Sequence, residues 1–264
     1  MRQIKAIAAV VMAVALSHGC IFEDRSDCPS FLTLDFSRTP EDISDIHLVI
    51  TTADKRIIRD TIDRNEFMVP YEVSVRRGET GIAAFGNIDR MIYGNGYRVA
   101  EGEDADNLYT CFIKSVYRGD LSSEKVTVLK NNIGLHVRVL GSSSDSLHIE
   151  VVSSSTGYDL QGHIMEGIFR HLPDAIHTPS DKEAYFEFLT RVTRQKDDDL
   201  TLSVYTGSGK EITSICLLPL LTDAGIDMDD EILQDLYITV DVALSCLTVS
   251  PEGWNHTGHT EIFF

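Results

Sequence analysis

The feature that most constrains this chain is an alternation of apolar and polar residues with a period of two. It runs through LTLDF at 32 to 36, IHLVI at 46 to 50, VTVL at 126 to 129 and GLHVRVL at 134 to 140, where Leu135, Val137 and Val139 share one side. It returns in LHIEV at 147 to 151, AYFEFLTRV at 184 to 192, LTLSVY at 200 to 205 and LYITVDVAL at 236 to 244. Successive side chains of a strand point to opposite faces, so the pattern predicts strands with one face buried and one wet. GSSSDS, SSSTG, TGSGK and PEGW supply turns between them. Strands at this spacing predict an all-β sandwich. Helical periodicity is confined to DDEILQDL at 229 to 236, while LLPLLTDAG at 217 to 225 reads as a short turn because Pro219 limits a helix there. The 264 residues suffice for two sandwich domains, with the division near Leu129 to Asn132. No internal repeat is visible in the sequence.

The first residues have a different character. Arg2 and Lys5 precede an apolar run from Ala6 to Leu16, and Ser17, His18 and Gly19 follow. The run is about 11 residues, where about 20 are needed to cross a bilayer as a helix, so residues 1–19 read as a cleaved secretory signal. The cut at Gly19-Cys20 resembles a bacterial lipobox, with Leu16 four residues before the cysteine and His18 where a small residue is usual. The expectation is acylation of Cys20, several chains on one residue being enough to anchor a soluble domain. The alternative is ordinary cleavage that leaves Cys20 a plain thiol.

Four further cysteines, Cys28, Cys111, Cys216 and Cys246, are compatible in an exported chain with two disulfides. By sequence halves the natural pairs are Cys28 with Cys111 and Cys216 with Cys246. The alternative is four separate buried thiols, since free cysteine behaves as a small core hydrophobe. Cys246 continues the apolar parity of the strand before it.

The formal charge of −18 opposes a general basic surface for phosphate backbones, so no nucleic-acid partner is expected. His256 and His259, three apart with Glu261 beyond, could share a metal, but a site normally needs three or four placed ligands. They read as a solvated or edge-strand tail, with no metal and no cofactor. EGEDAD at 101 to 106, KDDD at 196 to 199 and DMDDE at 227 to 231 invite calcium but lack the full EF-hand loop spacing, and read as solvated loops. There is no G-x-S-x-G, no H-E-x-x-H and no phosphate-cradling glycine loop; YGNGYRV at 93 to 99 is a turn with two glycines. Nothing argues for an enzyme. Asn255-His256-Thr257 fits a glycosylation sequon, and Asp60-Thr61-Ile62 and Asp145-Ser146-Leu147 fit a short O-glycosylation acceptor used in Bacteroidia.

Taken together these features resemble the FimB- and Mfa-type fimbrial anchoring subunits of Bacteroidia. The residues that carry the resemblance are Cys20, the stretch Glu23-Asp24-Arg25-Ser26-Asp27-Cys28-Pro29, then Leu32, Leu34 and Phe36. Val126-Thr127-Val128-Leu129-Lys130-Asn131 is similar to the start of that family's second domain, Tyr158-Asp159-Leu160-Gln161-Gly162 to its Y-D-x-x-G turn, and Ile238, Val240, Val242 with Gly253-Trp254 to its final strand. Ten residues follow Trp254, more than the family pattern. The resemblance implies two tandem antiparallel β-sandwich domains, transthyretin-like with Greek-key connections, after a lipoprotein signal peptide. The expected organisation is signal 1–19, lipidated acidic tether 20–29, and domains 30–129 and 130–264.

It also implies a function. The protein would be lipid-anchored in the cell outer membrane by Cys20, at the base of a fimbrium, and would dock the first shaft or accessory subunit by strand addition at an exposed edge. The strand expected over 236–249 is the sequence-level choice for that edge. The alternative is a surface glycan- or ligand-binding lipoprotein on the same scaffold, which calls for a cluster of exposed aromatics. A metal-dependent hydrolase would instead need His256, His259 and a carboxylate in one cleft.

Overall fold

The computed structural model describes residues 28–89, 95–141, 146–180, 184–196, 199–223, 227–244, 246–250 and 260–263. The signal segment, Cys20 and the tether to Asp27 lie outside the described residues, as do Trp254, Asn255, His256 and His259. In chain order the strands are β1 (Pro29–Asp35), β2 (Asp45–Thr51), β3 (Ile57–Asp63), β4 (Tyr71–Arg76), β5 (Gly78–Gly86), β6 (Gly96–Arg98), β7 (Tyr109–Tyr117), β8 (Leu121–Lys125) and β9 (Leu129–Lys130). They continue as β10 (Asn132–Leu140), β11 (Leu147–Asp159), β12 (Ile164–His171), β13 (Ala175–His177), β14 (Tyr185–Thr193), β15 (Thr201–Thr206), β16 (Glu211–Cys216), β17 (Leu236–Asp241), β18 (Cys246–Ser250) and β19 (Thr260–Phe263). One short helix, α1 (Leu218–Asp223), lies between β16 and β17.

These strands form the same arrangement twice. The first unit pairs the sheet β4-β1-β8 with the sheet β3-β2-β5-β7-β9. The second pairs β14-β10-β17 with β12-β11-β15-β16, in the same relative order, and extends the former with β13 at one edge and β18-β19 at the other. The repeat that the sequence hides is therefore topological. Most neighbours are antiparallel, but β1 runs parallel to β8 and β10 parallel to β17, one such pair in each unit. The expected antiparallel sandwiches are present, with one parallel ladder in each: a strand that crosses over from the opposite sheet, β8 or β17, takes the flank of the first strand.

The alternating residues fill the cores row by row. In the first unit Leu48, Ala84 and Cys111 are cross-strand neighbours, as are Ile50, Ile82 and Ile113, and they face Leu32, Leu34 and Phe36 of β1 in one apolar cluster. In the second, Val137 aligns with Phe188 and Ile238, and Val139 with Phe186 and Val240. The sheet containing β2, β5 and β7 is covered on both faces, because Val49, Ala83 and Phe85 belong to the second unit's cluster. That explains why β5 reads as the unbroken run IAAF, without alternation.

Four local expectations are overturned. DDEILQDL forms turns and extended chain, not a helix. Asp227 accepts the Asp229 N–H at 2.8 Å, and the carbonyls of Met228 and Asp230, which would serve a helix, accept from Arg194. LLPLLTDAG, in contrast, does contain α1, with Pro219 in the first turn where no intrahelical N–H is needed. The strand expected over 236–249 is the hairpin β17–β18, because the Asp241 carboxylate accepts the N–H groups of Ala243 and Leu244 at 3.0 Å and turns the chain. YGNGYRV supplies β6, a strand rather than a turn, which pairs with Gly157–Asp159 of β11.

Leu135 is fully buried between Thr190 and Leu236. Leu135→Ala should lower unfolding free energy by about 2–5 kcal/mol, measurable as a reduced denaturation midpoint with an unchanged slope.

Candidate functional site: the inter-sandwich joint and the open strand edges

The expected pairs Cys28 with Cys111 and Cys216 with Cys246 do not appear as disulfides in this structure. Cys28 is exposed ahead of β1, whereas Cys111 sits in the middle of β7 against the first core, where burial pushes its thiol pKa up. Cys216 and Cys246 end and begin strands of different sheets. The acidic runs are spread out: Asp104 pairs with Arg191 at 3.5 Å, Lys196 with Glu166 at 3.1 Å, and the 227–231 run is held by Arg194. Among the described residues no three His, Cys, Asp or Glu side chains converge as metal ligands. Thr61 of the first O-glycosylation triplet is exposed on the edge strand β3; Asp145 of the second lies outside the described residues.

What the structure does converge is a set of polar groups where the chain passes from one unit to the other. Tyr158, almost wholly buried, donates to the Asn131 carbonyl at 2.9 Å and accepts the Arg194 N–H at 2.8 Å. Asn131 donates through Nδ2 to Thr110 Oγ1 of β7 at 2.8 Å, and Arg194 Nε donates to Asn131 Oδ1 at 3.0 Å. Beside them Asp235 Oδ1 accepts from Lys130 Nζ at 2.6 Å and from the Gly134 N–H at 2.7 Å. Gly134 is required here, since a Cβ would lie 2.6 Å from that oxygen. Burial raises the Tyr158 phenol pKa well above its ordinary value, so it stays protonated as a donor.

The Y-D-x-x-G turn completes the joint. Asp159 Oδ1 accepts the N–H groups of Gln161 and His163 at 2.8 and 2.9 Å, and Oδ2 lies 2.9 Å from His163 Nδ1. Burial works to raise the Asp159 pKa, but these bonds prevail and it is lowered. Gly162 has φ +87° with its Cα against the Phe112 ring of β7, and a Cβ would come within 2.6 Å of that ring. A cleft of about 580 Å³ opens between this turn and β7, lined by Phe112, Lys114, Leu160 and His163 among others. Two of its charged groups are already paired, Lys114 with Glu79 at 3.1 Å and His163 with Asp159.

The second class of site is the strand edge, a row of N–H and C=O groups able to accept another strand. The sequence-level choice, 236–249, is ruled out: β17 lies between β10 and β18, and β18 between β17 and β19. The tail beyond Trp254 covers that side by forming β19. On the opposite side of the second unit, β12 ends one sheet and β13 the other. Ile168 of β12 is 80 % exposed, and Leu172 just after β12 and Ile176 of β13 are 52 % and 63 % exposed. No alternation signal marks these residues, because an apolar side chain facing water looks the same in sequence as one facing a core.

One measurement probes the joint and a second probes the first unit beside it. Tyr158→Phe would leave the buried Arg194 N–H and Asn131 C=O without their partner, so stability should fall by about 1–3 kcal/mol, and the single denaturation transition should broaden as the units uncouple. Tyr109 donates to Asp42 at 2.5 Å, and burial together with that carboxylate pushes its phenol up to about 12. The stability this bond gives is full below pH 10 and is lost as pH rises through about 12; in a phenolate absorbance titration, Asp42→Asn should move one tyrosine back toward its ordinary value.

No protein-family model matches the chain, and no curated protein matches its sequence. Solved structures do match. The fimbrial anchor protein Mfa2 of Porphyromonas gingivalis superposes with a TM-score of 0.62 at 13% identity, over 86% of this chain and 98% of that one. A candidate polysaccharide-binding protein of Bacteroides thetaiotaomicron gives 0.64 at 12% identity, over 89% and 98%. A candidate adhesin of Bacteroides ovatus gives 0.62 at 11%, over 86% and 94%. The chain thus has the all-β fold of Mfa2 and of these Bacteroides proteins, in agreement with the FimB/Mfa-type resemblance carried by its residues.

Proposed function

We propose that this protein is a non-enzymatic fimbrial anchor on the outer membrane, acylated at Cys20, which docks the first shaft or accessory subunit by strand addition. The single observation that carries the docking part is the open edge of β12 with Ile168, Leu172 and Ile176 facing water. An incoming extended segment would take main-chain hydrogen bonds from β12 and would place alternate side chains against these apolar residues. Glu166 and Arg170, exposed on the same strand, are already paired with Lys196 and Glu150, which leaves Ile168 as the side chain of β12 that an incoming segment would cover. The tether leaves from β1 of the first unit and the edge belongs to the second, so the joint at Tyr158 would carry the link between membrane and shaft.

The glycan-binding alternative looks to the outer face of the six-stranded sheet. There His136 stacks on Tyr237 at 4.5 Å, and Tyr185 packs against His177 at 4.6 Å and under Arg138 at 4.1 Å. These rings use their faces on one another, which disfavours sugar stacking.

The test replaces Ile168 and Ile176 together with lysine in cells that make the fimbria. The expected outcome is an unchanged level of protein on the membrane with fimbriae shed into the medium. Ile57→Lys on the edge strand β3, where the side chain is 41 % exposed, serves as the control and should leave attachment intact. Fimbriae that stay attached in the double variant would defeat this edge as the docking site.

A further inference from the structure

The second unit covers only part of the sheet of β2, β5 and β7. On the face turned toward it, Val49, Ala83 and Phe112 form one cross-strand row, Thr51, Gly81 and Lys114 the next, and Glu79 and Val116 the one after. Val49 and Ala83 are buried in the second unit's cluster and Phe112 packs against it, whereas Lys114, Glu79 and Val116 are exposed. The cleft of about 580 Å³ opens where this cover ends. Thr51, Gly81 and Lys114 give it a floor from the first unit, and Leu160, Gln161 and His163 of the Y-D-x-x-G turn give it a wall from the second. Gly81 leaves the floor hollow: a Cβ there would have only the Thr51 Cβ within reach, at 4.0 Å.

Cavities of this size take small ligands, and the side chains around this one define which kind. Phe112, Leu160 and Ala53 offer apolar surface. Of the charged groups that line it, Lys114 pairs with Glu79 at 3.1 Å and the His163 ring lies 2.9 Å from Asp159, while Lys55 makes no ion pair among the described residues. Asp54, beside Lys55 in the chain, is engaged by the Thr52 hydroxyl and lines a separate pocket with Pro29 and Arg56. From this we infer that the cleft binds a small apolar monocarboxylate, its apolar part over Gly81 against Phe112 and Leu160 and its carboxylate at Lys55. Apolar burial supplies most of the affinity, because an ion pair open to water adds little; Lys55 selects the head group. A molecule held between floor and wall adds contacts across the two units, so its binding stabilises the joint that Tyr158 fastens.

The experiment titrates octanoate, octanol and octylamine into the full chain carrying Cys20→Ala, which keeps the protein's own acyl chains out of the assay. The expected result is one octanoate per chain by calorimetry, with a thermal midpoint that rises with its concentration. Gly81→Val places methyl groups in the hollow and should weaken octanoate at least about tenfold. Lys55→Gln should weaken it about two- to fivefold and leave octanol unchanged, and octylamine should bind least. In the parent chain octanoate should shift the methyl resonances of Leu160 and leave those of Leu121 and Ile168 in place, a readout that does not depend on how well a variant folds. Absence of octanoate binding would overturn the inference, as would shifts at Leu121 or Ile168 without one at Leu160. Parent-like binding by a Gly81→Val chain that melts at the parent's midpoint would overturn the site. Octanol and octanoate that bind alike in both Lys55 forms would overturn the carboxylate assignment.

Discussion

The interaction on which the rest depends is the buried phenol of Tyr158 between Asn131 and Arg194. Two sandwiches joined in series need more than apolar contact to keep a fixed relation, because apolar packing is non-directional. Here the strand that leaves the first unit, the turn that follows β11 and the strand end at Arg194 are fastened by bonds of fixed length and angle. The same groups satisfy one another: Asn131 uses its carbonyl, its Oδ1 and its Nδ2, and Arg194 uses its main chain and its guanidinium. In a site with little water each such bond is costly to break. The apolar side of the joint is the second face of the β2-β5-β7 sheet, so the first unit contributes part of the second unit's core.

Duplication of one topology creates a difficulty as well as a scaffold, since each copy brings its own open strand edges. The second unit covers one side with β18 and β19 and shortens the edge at β13 to three residues. β12 is eight residues long and carries apolar side chains into water. Its irregular pairing with β11 between Ser153 and Gly157 disturbs only the half toward Ile164, and the half from Phe169 to His171 pairs in register. The protected side and the open side of one unit thus differ in the way that a docking surface and its protected flank should differ.

Much of the architecture was legible because burial imposes a period. Leu135, Val137 and Val139, and Phe186 and Phe188, face the core as their parity predicts. The failures have physical causes. In DDEILQDL an apolar spacing of three mimics a helix, but the carbonyls are claimed by Arg194, whose position no local pattern announces. The hairpin at Asp241 moves the buried positions from even (Leu236, Ile238, Val240) to odd (Leu247, Val249), a switch that the apolar Val242, Leu244 and Cys246 hide, so LYITVDVALSCLTV reads as one strand. The site residues fared unevenly for the same reason: Tyr158 stands in a recognisable turn, whereas Ile168 depends on which edge is left open.

The position of β1 bears on how such a chain would carry load under the proposed anchoring. The tether enters at Pro29, and β1 is the middle strand of its sheet, antiparallel to β4 and parallel to β8. Tension along the tether would act along the axis of β1, so both ladders would be loaded in shear and their hydrogen bonds would bear it together. An edge strand pulled across its ladder would lose its bonds one at a time. The buried Leu32, Leu34 and Phe36 add apolar contact that sliding would have to break in the same step. From β1 the load passes through the first core to the doubly covered sheet of β2, β5 and β7, and from Thr110 on β7 to Asn131 and Tyr158. A continuous route of ladders, packed rows and buried bonds therefore joins the tether to the unit that presents β12, without crossing a flexible linker.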